Sequence, residues 1–203
     1  MTDTRTVRSP SASRIAAIVI SEACAPAVLV SLFLLVAAFR AAAWPDSLLY
    51  AVVAIGLTTA LPLAGVLILV RLGRVTDHHV SDRRQRGPVL AGALVSIAVG
   101  LVVLTLIDAP WAVVGAVLCT VGGVVVVLLV NLWWKLSAHS AVAVFITVGA
   151  ISLFGPAAAV LVLLPVAVGW SRVRLRAHTS AQVAAGYVVG AVIGAAFALF
   201  VAP

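Results

Sequence analysis

Three short polar stretches carry most of the residues in this chain that could do chemistry. The first reads Asp77-His78-His79-Val80-Ser81-Asp82-Arg83-Arg84-Gln85-Arg86-Gly87-Pro88, and the second Lys135-Leu136-Ser137-Ala138-His139. The third is Ser171-Arg172 followed, after five residues, by His178. These residue types fit a phosphate group: a guanidinium fork binds phosphate oxygens in pairs, and an ammonium and a hydroxyl complete a cradle. Two histidines beside such a cradle supply a nucleophile and a proton donor for phosphoester cleavage. Each part also has a plainer reading. Arg83-Arg84-Gln85-Arg86 alone is a basic anchor for lipid headgroups, and a lone histidine at a helix end is an interfacial polar residue. Asp77, His78 and His79 lack the ligand spacing of a metal site on a helix.

The elements that must position these stretches follow from an apolar background. Of 203 residues, 64% are hydrophobic and 9% charged. A water-soluble globule has to cover itself with polar groups, so the solvent for most of this chain has to be lipid. Crossing the hydrocarbon takes roughly 20 apolar residues, and residues 15–39, 48–70, 89–107, 111–132 and 181–201 are predicted to do so. The apolar stretch after Lys135 is too long for one span, and Gly155-Pro156 splits it into shorter helices over 140–154 and 157–169, a pair that is thin or tilted. The expectation is an all-α polytopic bundle of seven helices, or six if the split pair is partly re-entrant, forming one integral membrane domain over residues 1–203. Arg5, Arg8 and Arg14 ahead of an apolar run resemble a signal peptide. That run exceeds the roughly 7–15 residues of a signal core and carries Glu22, so it reads as an uncleaved first helix behind a short tail at 1–13. Cys24 and Cys119 lie inside apolar runs and read as small buried hydrophobes, not as a disulfide or metal motif. Gly186, Gly190 and Gly194 make a smooth stripe for close helix packing.

With seven spans, the tail and the loops at 71–88, 133–139 and 171–180 share one face. Of the 13 lysines and arginines, all but Arg40 fall there, as do all four histidines. The positive-inside rule makes that face cytoplasmic. Trp44 and Trp111 mark the opposite interface and Trp133, Trp134 and Trp170 the basic one, as an aromatic belt would. The net charge of +7 therefore points to topology and anionic headgroups; nucleic acid is not an expected partner.

In the order and content of its three loops the chain resembles the type 2 phosphatidic acid phosphatases, whose pattern is Lys-x6-Arg-Pro, Pro-Ser-Gly-His and Ser-Arg-x5-His-x3-Asp. Ser171, Arg172 and His178 match the third part in register. Ser137-Ala138-His139 keeps the serine and histidine of the second. The first is represented by Arg86 close to Pro88, with His79 where the lysine stands. A membrane subgroup reading Lys-x-Ser-x-His and then Arg-x5-His-x3-Gln is closer still, fitting Lys135 and Gln182. The likeness runs from about Arg71 to Gly194. It implies that His178 attacks phosphorus to form a phosphohistidine and that His139 protonates the leaving oxygen. Arg172, Lys135, Ser137 and one of Arg83 or Arg86 would hold the equatorial oxygens. No metal or cofactor is implied. Gln182 stands where the family has the aspartate that orients the nucleophile. It can accept a hydrogen bond from the imidazole but brings no charge. Glu22, Asp77 or Asp82 could substitute as the carboxylate, while Glu22 could equally pair with a nearby arginine.

These readings lead to an integral membrane enzyme acting on a lipid phosphate or diphosphate, isoprenoid or glycerolipid, whose tail stays in the bilayer. The alternative is a phosphatase-like lipid-binding or scaffold protein with weak or lost catalysis. A small transporter fits less well, since Glu22 is the main ionisable residue at mid-membrane positions and little else could line a path.

Overall fold

The computed structural model describes residues 11–76 and 83–202, apart from the side chains of Arg83, Arg84 and Arg86. The described residues form helices and no strand: α1 (Ala12–Ala23), α2 (Pro26–Ala41), α3 (Asp46–Ile55), a π-helical turn (Gly56–Ala60), α4 (Leu61–Arg71), α5 (Arg83–Leu106), α6 (Trp111–Asn131), α7 (Ala138–Phe154), a 3-10 turn (Pro156–Val162), α8 (Leu163–Arg174) and α9 (Ser180–Phe200). Five helical stretches are long and apolar enough to cross a membrane: Asp46–Arg71, Gly87–Leu106, Trp111–Asn131, Pro156–Arg174 and Ser180–Phe200. A sixth span results if α1 and α2, bent by 44° at their junction, are one broken span. The outer surface stays apolar: Leu106, Leu199 and Phe200 are each 74–77% exposed, which only a lipid surrounding makes favourable.

Two expectations are corrected. Residues 15–39 are not one straight helix, because Pro26 has no N–H to donate back to Glu22 and its ring crowds that carbonyl; Pro26 instead opens α2 at its first turn. The second half of the split pair does not stop at residue 169. The stretch Pro156–Arg174 is one 19-residue span, and its last turn holds Arg172 and Arg174, whose charges suit the negative end of a helix. By length and composition the spans number five, or six with the bent pair, which meets the lower of the two expected counts; α7 has 17 residues, roughly 25 Å at 1.5 Å per residue, and is a short apolar helix set among longer ones.

That short helix is central. α7 packs on α2, α8 and α9, and a knot of three mutually edge-on rings, Phe33, Phe145 and Phe197, ties α2, α7 and α9 together. Phe33 fits because Gly149 has no side chain; a Cβ there would lie 2.6 Å from the Phe33 ring. The glycine stripe does what its spacing predicts. Gly186, Gly190 and Gly194 of α9 meet Ser137–Ser140, Ala141–Val144 and Val148 of α7 in turn, so the two helices rise in parallel with their N-termini side by side. At the far end Arg40 of α2 donates to the Leu153 carbonyl at 3.1 Å and stacks over Phe154 at 5.1 Å, closing the C-terminus of α7.

The other half of the bundle contains a break in regular helix at membrane depth. Pro62 leaves the carbonyl of Thr58 without its helical donor, and the backbone responds with the π turn. Hydroxyls take up other groups of the same turn: Ser96 donates to the Leu57 carbonyl at 2.6 Å, Thr59 to that of Ile55 at 2.9 Å, and Ser31 and Thr59 share a 2.7 Å bond. Such bonding is what allows irregular backbone inside a bilayer.

Candidate active site

The site grows from the way two helices begin and one ends. α8 closes in a Schellman turn: Arg176 takes the left-handed conformation (φ 55°), its N–H reaches the Val173 carbonyl at 2.9 Å, and the Ala177 N–H reaches that of Arg172 at 3.0 Å. The turn folds the chain back so that the His178 N–H also meets the Arg172 carbonyl, at 3.3 Å. The Arg-x5-His spacing is therefore the length of this helix stop. Immediately afterwards Thr179 caps α9 in a reciprocal box: its hydroxyl accepts the Gln182 N–H, and the Gln182 Oε1 accepts the Thr179 N–H at 3.2 Å. His178 is thus fixed between a stop and a start. A left-handed arginine is strained where glycine is not. Arg176→Gly is expected to raise stability by about 1 kcal/mol, read as a higher melting temperature of the protein in detergent; an unchanged or lower value would contradict this account of the turn.

The second loop is built against the third. Ser137 caps α7, its hydroxyl accepting the Ser140 N–H at 3.3 Å and sharing a 2.8 Å bond with the Ser140 hydroxyl. Its own N–H donates to the Gln182 carbonyl at 3.4 Å, and the Lys135 Nζ donates to the Ala177 carbonyl at 2.9 Å. Two bonds thus clamp the entry of α7 to the entry of α9. Around them lie buried Ser137, His139, Ser140, Ser171, Arg172 and His178. The Ser171 hydroxyl donates to the Val168 carbonyl within its own helix. Arg172, 7% exposed, reaches across to α1, where its guanidinium donates to the Ser21 hydroxyl. At the surface of the same junction Arg174 donates to the hydroxyls of Ser11 and Ser13.

Electrostatically this end is suited to an anion. Two parallel helix N-termini present the positive ends of their dipoles on the same side, and the Lys135 ammonium lies across the junction between them; Arg172 and Arg174 offset the negative end of α8, which closes at the same place.

Several expected members stand differently. Gln182 does not reach out to the imidazole through its Oε1; that atom closes the α9 cap. The hydroxyl of Ser137, expected on a phosphate, is engaged as a cap. Glu22 is exposed on the last turn of α1, next to Ser21. The described part of the first loop is tied to itself: the N–H and hydroxyl of Thr76 both donate to the Gln85 Oε1, and Val75 packs with Val66, Leu69, Val70 and Val89. α4 and α5 pack on each other and on the π turn, α5 also on α3 and α6. The second and third loops are brought together directly; of the first, only Val75, Thr76 and Gln85 at its edges are placed by these contacts. Asp77, His78, His79 and Asp82 lie outside the described residues, as do the side chains of Arg83 and Arg86. Sequence reasoning missed Ser21 and Ser140. Ser140 follows His139 directly and was readable as a third-position partner of a Ser cap; Ser21 had no such signal.

No family model matches the chain, and neither does any curated protein or any solved structure.

Proposed function

We propose that this chain is an integral membrane phosphatase of the type 2 phosphatidic acid phosphatase kind, hydrolysing a lipid phosphate or diphosphate, isoprenoid or glycerolipid, on its basic, cytoplasmic side. One observation carries the reading: His139 at the start of α7, His178 just ahead of α9 and Arg172 in the last turn of α8 are each buried where the three helix ends meet, with Lys135 clamped across the same junction. Cations and histidines are costly to bury in an apolar bundle, and helix N-termini add positive potential where a phosphate would sit. In the proposed reaction the His178 imidazole attacks phosphorus as the ester P–O bond breaks, and the leaving oxygen takes a proton from His139. Water then attacks the phosphohistidine with His139 as base, releasing phosphate and restoring His178. Arg172, Lys135 and an arginine of the first loop, Arg83 or Arg86, would stabilise the equatorial oxygens. The apolar tail stays in the bilayer.

A second reading, a lipid-binding or scaffold protein with lost catalysis, is favoured by a specific feature. Lys135, Arg172 and Gln182 all make bonds to protein groups, and Gln182 supplies no carboxylate behind the nucleophile. Phosphate release from dioleoyl phosphatidic acid and from farnesyl phosphate and diphosphate, by purified wild type and Gln182→Asp, separates the two. An enzyme turns over at least one of these, and Gln182→Asp matches or exceeds it, because an aspartate in the first turn suits the helix dipole and sets a negative charge one turn from His178. A binder releases no phosphate in either form.

A further inference from the structure

We infer that the N-terminal helix belongs to the phosphate site, with Ser21 acting as the positioning residue for Arg172; this rests on the proposed role of Arg172 as a phosphate ligand. α1 packs on α8, and the side facing it is a line of small residues one helical turn apart, Ser13, Ala17 and Ser21. Ala17 and Ser21 are its buried members. Two bonds join the last turn of α8 to α1: Arg174 meets Ser13 and Arg172 meets Ser21. The two contacts differ in kind. The Arg174 pair is exposed, and bonds between exposed groups contribute little. The Arg172–Ser21 pair is buried, with Ser21 1% exposed, where a charge-assisted bond is strong and fixes orientation.

The chemistry explains the choice of residue. A guanidinium presents five donors in a rigid fork, so fixing one N–H fixes the aim of the others. A serine hydroxyl accepts from the fork without adding a charge of its own. Ser21 thus supplies, from 151 residues away in sequence, the aim of a cation whose own backbone carbonyl is bonded to His178.

The test uses full-length protein in detergent with two readouts: phosphate release from dioleoyl phosphatidic acid or farnesyl phosphate, and calorimetric binding of dodecyl phosphonate, a phosphate mimic that is not hydrolysed. Ser21→Ala is expected to lower kcat/KM and to weaken phosphonate binding, each about tenfold or more, the value of one hydrogen bond to a charged group. Ser21→Cys, a poor acceptor of similar size, should show the same loss if the alanine variant does not fold. Ser21→Thr should restore both readouts, and Ser13→Ala, which breaks only the surface clamp, should leave them unchanged. The inference is overturned if Ser21→Ala behaves as wild type, or if Ser13→Ala and Ser21→Ala fall together, since that would make helix docking the cause. If wild type binds the phosphonate without turning over either lipid, the phosphatase reading fails and the binding series alone decides the role of Ser21. If wild type neither binds nor turns over, both fail.

Discussion

His178→Ala is expected to reduce phosphate release from lipid phosphates at least about a thousandfold, with helix content and melting behaviour close to wild type. The size of the effect follows from the role: removing a covalent nucleophile deletes the path, not one contribution to it. The mildness of the structural effect follows from the local build. The stop at Arg176 and the cap at Thr179 are both made without the imidazole, so the turn survives truncation. Circular dichroism and a thermal melt on the purified variant, beside the release assay, separate loss of chemistry from loss of fold. A variant that folds normally and still turns over at the wild-type rate would remove His178 from the mechanism.

The second large effect lies in the packing. Gly190→Val should destabilise the protein by about 3 kcal/mol or more, the upper end of overpacking costs. A side chain at this position would run into the Ala141 carbonyl and the Val144 side chain of α7. Backbone on one side and a branched residue on the other leave no rotamer that avoids the clash, so α7 and α9 must separate. The bond from the Ser137 N–H to the Gln182 carbonyl spans the same interface at 3.4 Å, and separation breaks it, so activity should fall with stability. Gly122→Ala is the control, because a Cβ there meets nothing within 4 Å and alanine favours helix. Unfolding measured in detergent should show Gly190→Val far below wild type and Gly122→Ala at or above it. Equal melting of the two variants would sink this account of the interface.

Much of this was legible in the sequence. Long apolar runs reported the spans because hydropathy measures the cost of a segment's surroundings, and the glycine spacing reported which face of α9 closes on a neighbour. The end of α8 was misjudged for the same reason the spans were found: apolarity stops near Gly169, but the helical hydrogen-bond ladder continues to Arg174, where cations suit the helix end. The bend before Pro26 was readable from the proline, yet the unbroken run of apolar residues around it suggested a single rod. Gln182 is a more instructive case. Thr179-x-x-Gln182 is a capping-box signature, and a residue noticed for its distance from His178 serves the backbone of its own helix. Ser21 could not be read at all, since a lone serine in an apolar run gives no indication of a partner 151 residues away. Local chemistry is written in spacing; which loops meet is decided by tertiary packing, and the bonds from Lys135 to the Ala177 carbonyl and from Ser137 to the Gln182 carbonyl join the second and third polar loops directly.

The central claim is that His178 carries the phosphoryl group, and it can be tested without knowing the natural lipid. Wild type and His178→Ala, incubated briefly with lipid phosphate labelled at phosphorus and quenched in denaturant, are digested and examined by mass spectrometry. The account predicts a phosphoryl adduct on the peptide containing His178, stable in base and lost in acid, that is absent from the variant. Phosphate release by wild type with no such adduct, or an adduct on another residue that persists in the variant, would contradict it.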